Sequence, residues 1–278
     1  MTKSKDIFLS AIGLFIVAAL VIACEEPVKL DIGQTPTRIV IEGLITNQPG
    51  YQFIKVTRTA DFYGSGKTPR VTNASVIVSD NAGNQITFVN NPRNHADSAG
   101  FYVPQTPFTG VIGRTYKMRV YEAQDEMFAV TKMDSLSYAL DADEAEDPEV
   151  EGRAYEVLMF TKEPQNEINY YYFKFYRNDS LKYLNDTDIY YSDDEFLAQN
   201  INGVESPIFY AIGDKSRVEM YSITRAGYLY YADMWNLLNN DAGGMFGPIP
   251  ATPRTNLSNG ALGFFQVSAL DVGEITIE

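Results

Sequence analysis

The chain has very few of the residues that most enzymatic chemistry requires. Its 278 residues include one Cys, one His and one Trp. A single Cys excludes an internal disulfide and any cysteine-based zinc cluster. A single His excludes a multi-histidine metal site. That residue, His95, lies in the polar stretch 90–98 beside Asp97 and Ser98. No Gly-x-Ser-x-Gly turn presents a nucleophile anywhere, so His95 reads as a surface histidine. Basic residues are scarce as well: 22 Lys and Arg stand against 36 Asp and Glu, a net charge of −14. Phosphate contacts need clustered Lys and Arg, so nucleic acid is not an expected partner. What the chain has in excess is aromatic, with 19 Tyr and 16 Phe.

The N-terminus carries a location signal. Lys3 and Lys5 precede an apolar run from Ile7 to Ala23, interrupted by Ser10 and Gly13, which ends in Val21-Ile22-Ala23-Cys24. Small and apolar residues directly before a Cys form a bacterial lipobox. The thiol takes a diacylglyceryl group, a peptidase cuts before the Cys, and the new amino group takes an acyl chain such as palmitate. The alternative is an ordinary transmembrane anchor, but the run is slightly shorter than the ~18–20 residues that span a bilayer. The only Cys sits where acylation requires one, so residues 1–23 are expected to be a signal peptide and Cys24 the lipidation site. Glu25 and Glu26 follow and resemble the surface-export signal of Bacteroidota lipoproteins; the plainer reading is a solvated linker. Residues 24–37, with Pro27, Gly33 and Pro36, are expected to form a tether reaching about 40 Å when extended.

Short β-branched segments separated by turn signals fill residues 38–130. They include 38–45, 51–58, 74–79, 85–89, 101–103 and 115–121, with Asp80-Asn81-Ala82-Gly83-Asn84 as a hairpin loop. The spacing predicts a Greek-key sandwich, immunoglobulin-like or transthyretin-like. An acidic linker or strand, 131–153, contains Asp141, Asp143, Glu144, Glu146, Asp147, Glu149 and Glu151 without a basic residue between them; such runs are usually solvated and mobile. A second β-rich block, 154–278, has predicted strands at 154–161, 169–177, 208–212, 217–223 and 261–269. Tyr228, Tyr231, Met234, Trp235 and Leu238 fall at helical spacing, which predicts an amphipathic helix near 226–240.

Two features of the second block bear on function. Asp186, Asp188, Asp193, Asp194 and Glu195 cluster in sequence. Paired carboxylates can hydrolyse glycosides, and clustered ones can hold Ca²⁺, a weak candidate here; adjacent acids in a loop are more often simply hydrated. The aromatic residues are the stronger signal. Tyr170, Tyr172, Tyr190, Tyr191, Tyr230 and Trp235 form a candidate ligand or partner surface, because Tyr and Trp join an apolar face to a polar tip. The competing expectation is that they fill the core.

Taken in order, several segments resemble one family, the domain-of-unknown-function 4249 lipoproteins. They are the Cys24 lipobox, Val40-Ile41-Glu42-Gly43, Ala74-Ser75-Val76-Ile77-Val78, Gly113-Arg114-Thr115-Tyr116, Asn169-Tyr170-Tyr171-Tyr172, Asp193-Asp194-Glu195-Phe196 and Asn259-Gly260-Ala261-Leu262-Gly263-Phe264-Phe265. The resemblance implies a surface-exposed outer-membrane lipoprotein, often encoded beside a TonB-dependent transporter, and carries over no catalytic residues. By analogy it implies a non-enzymatic accessory subunit for nutrient uptake, with a glycan or peptide ligand, and no cofactor beyond the acyl chains on Cys24. Two other classes stay open on the sequence: a carbohydrate-active hydrolase using the carboxylates from Asp186 to Glu195, and a structural or adhesive cell-surface protein.

Overall fold

The computed structural model describes residues 36–60, 68–123, 125–133, 141–146, 155–162, 168–194, 200–239 and 252–278, with the backbone alone at 141–146. The expected signal peptide 1–23, Cys24, Glu25, Glu26, most of the expected tether 24–37 and Glu195 lie outside the described residues. Strands dominate. The first seven are β1 (Ile39–Thr46), β2 (Phe53–Arg58), β3 (Ser75–Asp80), β4 (Gln85–Asn90), β5 (Phe101–Pro104), β6 (Thr115–Glu122) and β7 (Asp125–Lys132). Next come β8 (Asp141–Glu146), β9 (Tyr155–Lys162), β10 (Tyr170–Arg177), β11 (Ser180–Lys182), β12 (Tyr190–Asp193), β13 (Asn200–Glu205) and β14 (Lys215–Ile223). The helix α1 (Arg225–Asn239) precedes β15 (Leu262–Ser268) and β16 (Leu270–Thr276).

Eight strands form the first sheet in the order β15-β1-β2-β5-β4-β3-β6-β7. The sheet is nearly closed. Its inward side is the alternate set along each strand, including Ile41, Ile45, Ile54, Val56, Val76, Val78, Met118 and Val120, all fully buried. Two buried tyrosines in this core keep their hydroxyls paired. Tyr102 Oη accepts from Ala74 N and donates to the Val71 carbonyl, and Tyr116 Oη accepts from Val111 N.

The last member of this sheet comes from far along the chain. β15 runs parallel to β1, with Ile41 opposite Gly263 and Gly43 opposite Phe265. The remaining gap, between β15 and β7, is bridged by side chains. Asn256 Nδ2 donates to Thr131 Oγ1 (3.0 Å) and to the Phe265 carbonyl (2.8 Å), while its Oδ1 accepts from Phe265 N (2.9 Å). Ser258 makes two further bonds to the backbone of Phe128. Removing the Asn256 amide strands buried backbone groups at this seam, at ~1–3 kcal/mol for an unsatisfied group. Asn256→Ala should lower the urea midpoint accordingly, and an unchanged midpoint would mean that the seam contributes nothing.

Ala269, fully buried, is the only residue between β15 and β16, so the chain steps directly from the first sheet into the second. The second sheet has the order β11-β10-β14-β16, with β12 also on β10. β10 explains the aromatic excess. Tyr171, Phe173 and Phe175 point into a core shared with Val157 and Met159 of β9 and Val218 and Met220 of β14. The alternate residues Tyr170, Tyr172, Lys174 and Tyr176 face the other way, toward the outer side of the first sheet and toward α1. Residues from Thr37 onward form one compact unit, and β15 crosses the sequence boundary drawn at 131–153.

Three local expectations need correction. Residues 141–146, expected to be solvated, form β8, which pairs with β9 in a third sheet of order β13-β9-β8. Its position at the sheet edge suits a charged strand, because edge charges discourage further pairing. Residues 208–212 do not form a strand; Tyr210 makes one isolated bridge to Tyr155. In α1, Trp235 and Leu238 match the predicted helical spacing but stay 40% and 44% exposed. Tyr228, Tyr231 and Met234 of the same set are half-buried, and Gly227 is buried.

Candidate functional site

A cleft of about 510 Å³ opens where α1 lies across the junction of the two main sheets. Strand alternation builds its walls. Val40, Glu42 and Leu44 come from the outward side of β1, since Ile41 and Ile45 take the inward side. Phe264 and Gln266 come from the same side of β15, Tyr172 and Lys174 from β10, and Tyr230, Met234 and Leu237 from α1. Thr224 holds the start of that helix, its Oγ1 accepting from Gly227 N (3.2 Å).

The aromatic walls are ordered pairs. Tyr172 and Tyr231 stack with ring centroids 4.3 Å apart and planes 5° from parallel, and Tyr230 stacks on Phe264 at 5.0 Å and 22°. Burial raises the pKa values of Tyr172 and Tyr231, and burial together with Glu42 pushes Tyr230 up to about 12. Every phenol in the cleft is therefore protonated near neutral pH. Tyr231 donates its proton to Gln266 Oε1, and Gln266 Nε2 donates to Ser268 Oγ (2.9 Å).

Charge sits beside the cleft, behind Tyr221. Glu219 of β14 is 1% exposed and fully engaged. Its carboxylate accepts from Arg217 Nη1 (2.5 Å), Tyr221 Oη (2.7 Å) and Tyr176 Oη (3.1 Å). Arg217 also donates to Tyr51 Oη (3.2 Å), and its guanidinium lies 3.8 Å above the Tyr176 ring. The pairing register sets Lys174 directly opposite Glu219, and the Lys174 ammonium lies over the rings of Tyr221 (5.1 Å) and Tyr172 (5.9 Å). Burial lowers its pKa against the pull of Glu219. It makes no hydrogen bond or ion pair with any described residue.

The residues singled out in the sequence separate. Tyr172 and Tyr230 line the cleft. Tyr170 and Tyr191 pack on Tyr228 at 5.0 and 5.2 Å, beneath the helix. Tyr190 meets Phe175 edge-on at 5.2 Å on the opposite face of the sheet. Trp235 is on the outer side of the helix, away from the cleft residues.

The described carboxylates between Asp186 and Asp194 do not converge. Asp188 Oδ2 accepts from Asn185 N (2.8 Å), and Asp194 Oδ2 accepts from Asn169 N (2.9 Å). Asp193 is 9% exposed, its Oδ1 has no hydrogen-bond partner among the described residues, and burial together with this carboxylate raises the pKa of Tyr228. Among the described residues no three His, Cys, Asp or Glu side chains gather in a way that could hold a metal. His95 caps a short 3-10 turn, Ala96–Ser98, its Nδ1 accepting from Asp97 N (3.3 Å).

Sequence reasoning missed Lys174, Glu219, Glu42 and Gln266. Lys174 and Glu219 did carry a signal: Lys174 stands between Phe173 and Phe175, and Glu219 between Val218 and Met220, where a charge stays only if something offsets its desolvation.

A family model described as a domain of unknown function (DUF4249) matches residues 25–272. Among curated proteins, none matches the chain.

Proposed function

Because the chain belongs to the DUF4249 family, whose function is unknown, we propose its role from its own physical features: a lipid-anchored, surface-exposed outer-membrane protein that binds a ligand without transforming it. The cleft beneath α1 carries this reading, since it joins stacked aromatic walls to a lysine that forms no ion pair with any described residue. Glu219, the best-buried acid near it, spends its carboxylate on three donors and is poorly placed for proton transfer. The carboxylates Asp188 and Asp194 are likewise committed to local hydrogen bonds, which supports binding over glycoside hydrolysis.

The anchor in this proposal is the diacylglycerol and N-acyl chain on Cys24. At ~0.8 kcal/mol per buried CH₂, several acyl chains hold a protein firmly on a membrane. Glu25 and Glu26 serve as the export signal, and a TonB-dependent transporter is the proposed partner, to which the cleft would present cargo. A Greek-key reading of residues 38–130 belongs to the same proposal. It is supported by the hairpin-linked strands β3, β4 and β5, flanked in the sheet by β6 on one side and β2 on the other.

Growth with labelled palmitate tests the anchor: the wild-type chain takes up label and Cys24→Ala takes up none. Protease treatment of intact cells tests display. Digestion of the chain, with a periplasmic control protein intact, is expected, and complete protection would overturn surface exposure.

A further inference from the structure

We infer that the cleft beneath α1 takes a small aromatic carboxylate, with the ring between the aromatic walls and the carboxylate on Lys174. This deepens the binding reading above and rests on it.

The argument is an inventory of which polar groups the cleft leaves open. Its carboxylate and amide acceptors are largely engaged: Glu42 Oε1 accepts from Lys55 Nζ (2.6 Å), with Oε2 left open on the exposed side, and Gln266 Oε1 accepts from Tyr231. The open groups are an ammonium, which only donates, and two phenol hydroxyls, which donate or accept. Lys174 Nζ, Tyr172 Oη and Tyr230 Oη all line the cleft and have no hydrogen-bond partner among the described residues. Charge points the same way: Glu219 beside the cleft already pairs with Arg217, and Glu42 in its wall pairs with Lys55, which leaves Lys174 without an ion-pair partner among the described residues. One positive charge is left over inside a chain whose net charge is −14.

A neutral sugar would leave the Lys174 ammonium without a counter-charge. A carboxylate needs donors only, and it offsets the desolvation of an ammonium that now has only ring faces for company. The ligand body follows from the walls. Tyr172 stacked on Tyr231 and Tyr230 stacked on Phe264 make the lining aromatic, an environment that a planar ring joins by edge or offset contacts. A volume of about 510 Å³ lies within the usual range for small-molecule sites.

The test uses the full-length chain in mild detergent, with detergent alone as the blank. Two probes share one ring system: 1-naphthoate carries the charge and 1-naphthalenemethanol does not. Wild type should bind the carboxylate at least about tenfold more tightly than the alcohol, the yield of one charged hydrogen-bonded contact. Lys174→Met should remove that advantage, and Lys174→Arg should keep most of it. Tyr230→Phe, which deletes one donor and leaves the stack, should weaken the carboxylate about threefold or more. Should Lys174→Met not fold, the carboxylate-to-alcohol ratio in wild type and Tyr230→Phe still decides. Equal binding of the two probes, no binding of either, or an unchanged affinity for 1-naphthoate in folded Lys174→Met would overturn the inference. Surface digestion and partner recovery in cells are independent of Lys174. Their success beside a failed titration would reject the ligand class alone, and their failure would reject the broader function.

Discussion

Gly263→Ala is expected to cost about 3–6 kcal/mol, enough to unfold a large share of molecules, given that whole domains are stable by only ~5–15 kcal/mol. Two penalties add. Gly263 has φ +95°, a conformation that L side chains rarely adopt. An added Cβ would also stand 2.1 Å from the Ile41 carbonyl oxygen, a backbone atom of the paired strand that cannot swing aside. Relief would require β15 to part from β1, and β15 both completes the first sheet and leads through Ala269 into the second. Gly83 is the control. It has φ +88° but nothing within 4 Å of the added Cβ, so Gly83→Ala should cost only the conformational strain, ~1–2 kcal/mol. Urea unfolding of the two variants separates the effects, and equal midpoints would show that the approach of β15 to β1 imposes no close contact.

The second large effect belongs to Glu219. Removing one member of a buried ion pair typically costs ~3–5 kcal/mol, because the surviving charge is left uncompensated. Glu219→Ala leaves Arg217 facing the Tyr176 ring and Tyr51, and deprives the hydroxyls of Tyr176 and Tyr221 of their acceptor. It also leaves Lys174, opposite in the register, without the nearest negative charge. The cost should therefore fall at the high end of that range. Pairing the change with Arg217→Met removes one orphaned cation, and the double variant Arg217→Met/Glu219→Ala should recover a substantial part of the loss. A double-mutant cycle measured by urea unfolding gives the coupling directly. Strictly additive losses would mean that the two groups do not act as a pair.

Parts of this architecture were legible in the sequence because they obey short-range rules. The alternation Tyr116, Met118, Val120 against Lys117 and Arg119 marks β6, and the first set is fully buried. The turn residues from Asp80 to Asn84 mark the β3–β4 hairpin, where Asp80 Oδ1 accepts from the backbone N–H groups of Ala82 and Asn84. Helical spacing located α1 to within one residue at either end. The long-range pairings were not legible. Nothing local tells 261–269 to lie parallel to β1 more than 200 residues away, and without that partner the near-closure of the sheet is invisible. The acidic stretch 141–146 misled for a related reason: charge argues for solvent, but the free edge of β9 supplies a backbone ladder that charge does not forbid.

The site shows the same division. Aromatic richness in the second block was plain, yet the sequence could not assign faces. The structure sends Tyr171, Phe173 and Phe175 to one core and Tyr170, Tyr172 and Lys174 to the side of the helix. Of six aromatic residues proposed for a surface, two reach the cleft, because whether a tyrosine is covered depends on which sheet or helix lies above it. Lys174 gains its meaning only from the register that places it opposite Glu219 and above two tyrosine rings.

Recovery of the tagged chain from outer membranes solubilised in mild detergent, with its partners identified by mass spectrometry, is the decisive measurement. An accessory binding lipoprotein should bring down a TonB-dependent transporter in a fixed ratio, and Cys24→Ala, which lacks the anchor, should lose most of that yield. Recovery of the lipoprotein alone, with the transporter left in the unbound fraction, would contradict the proposed role.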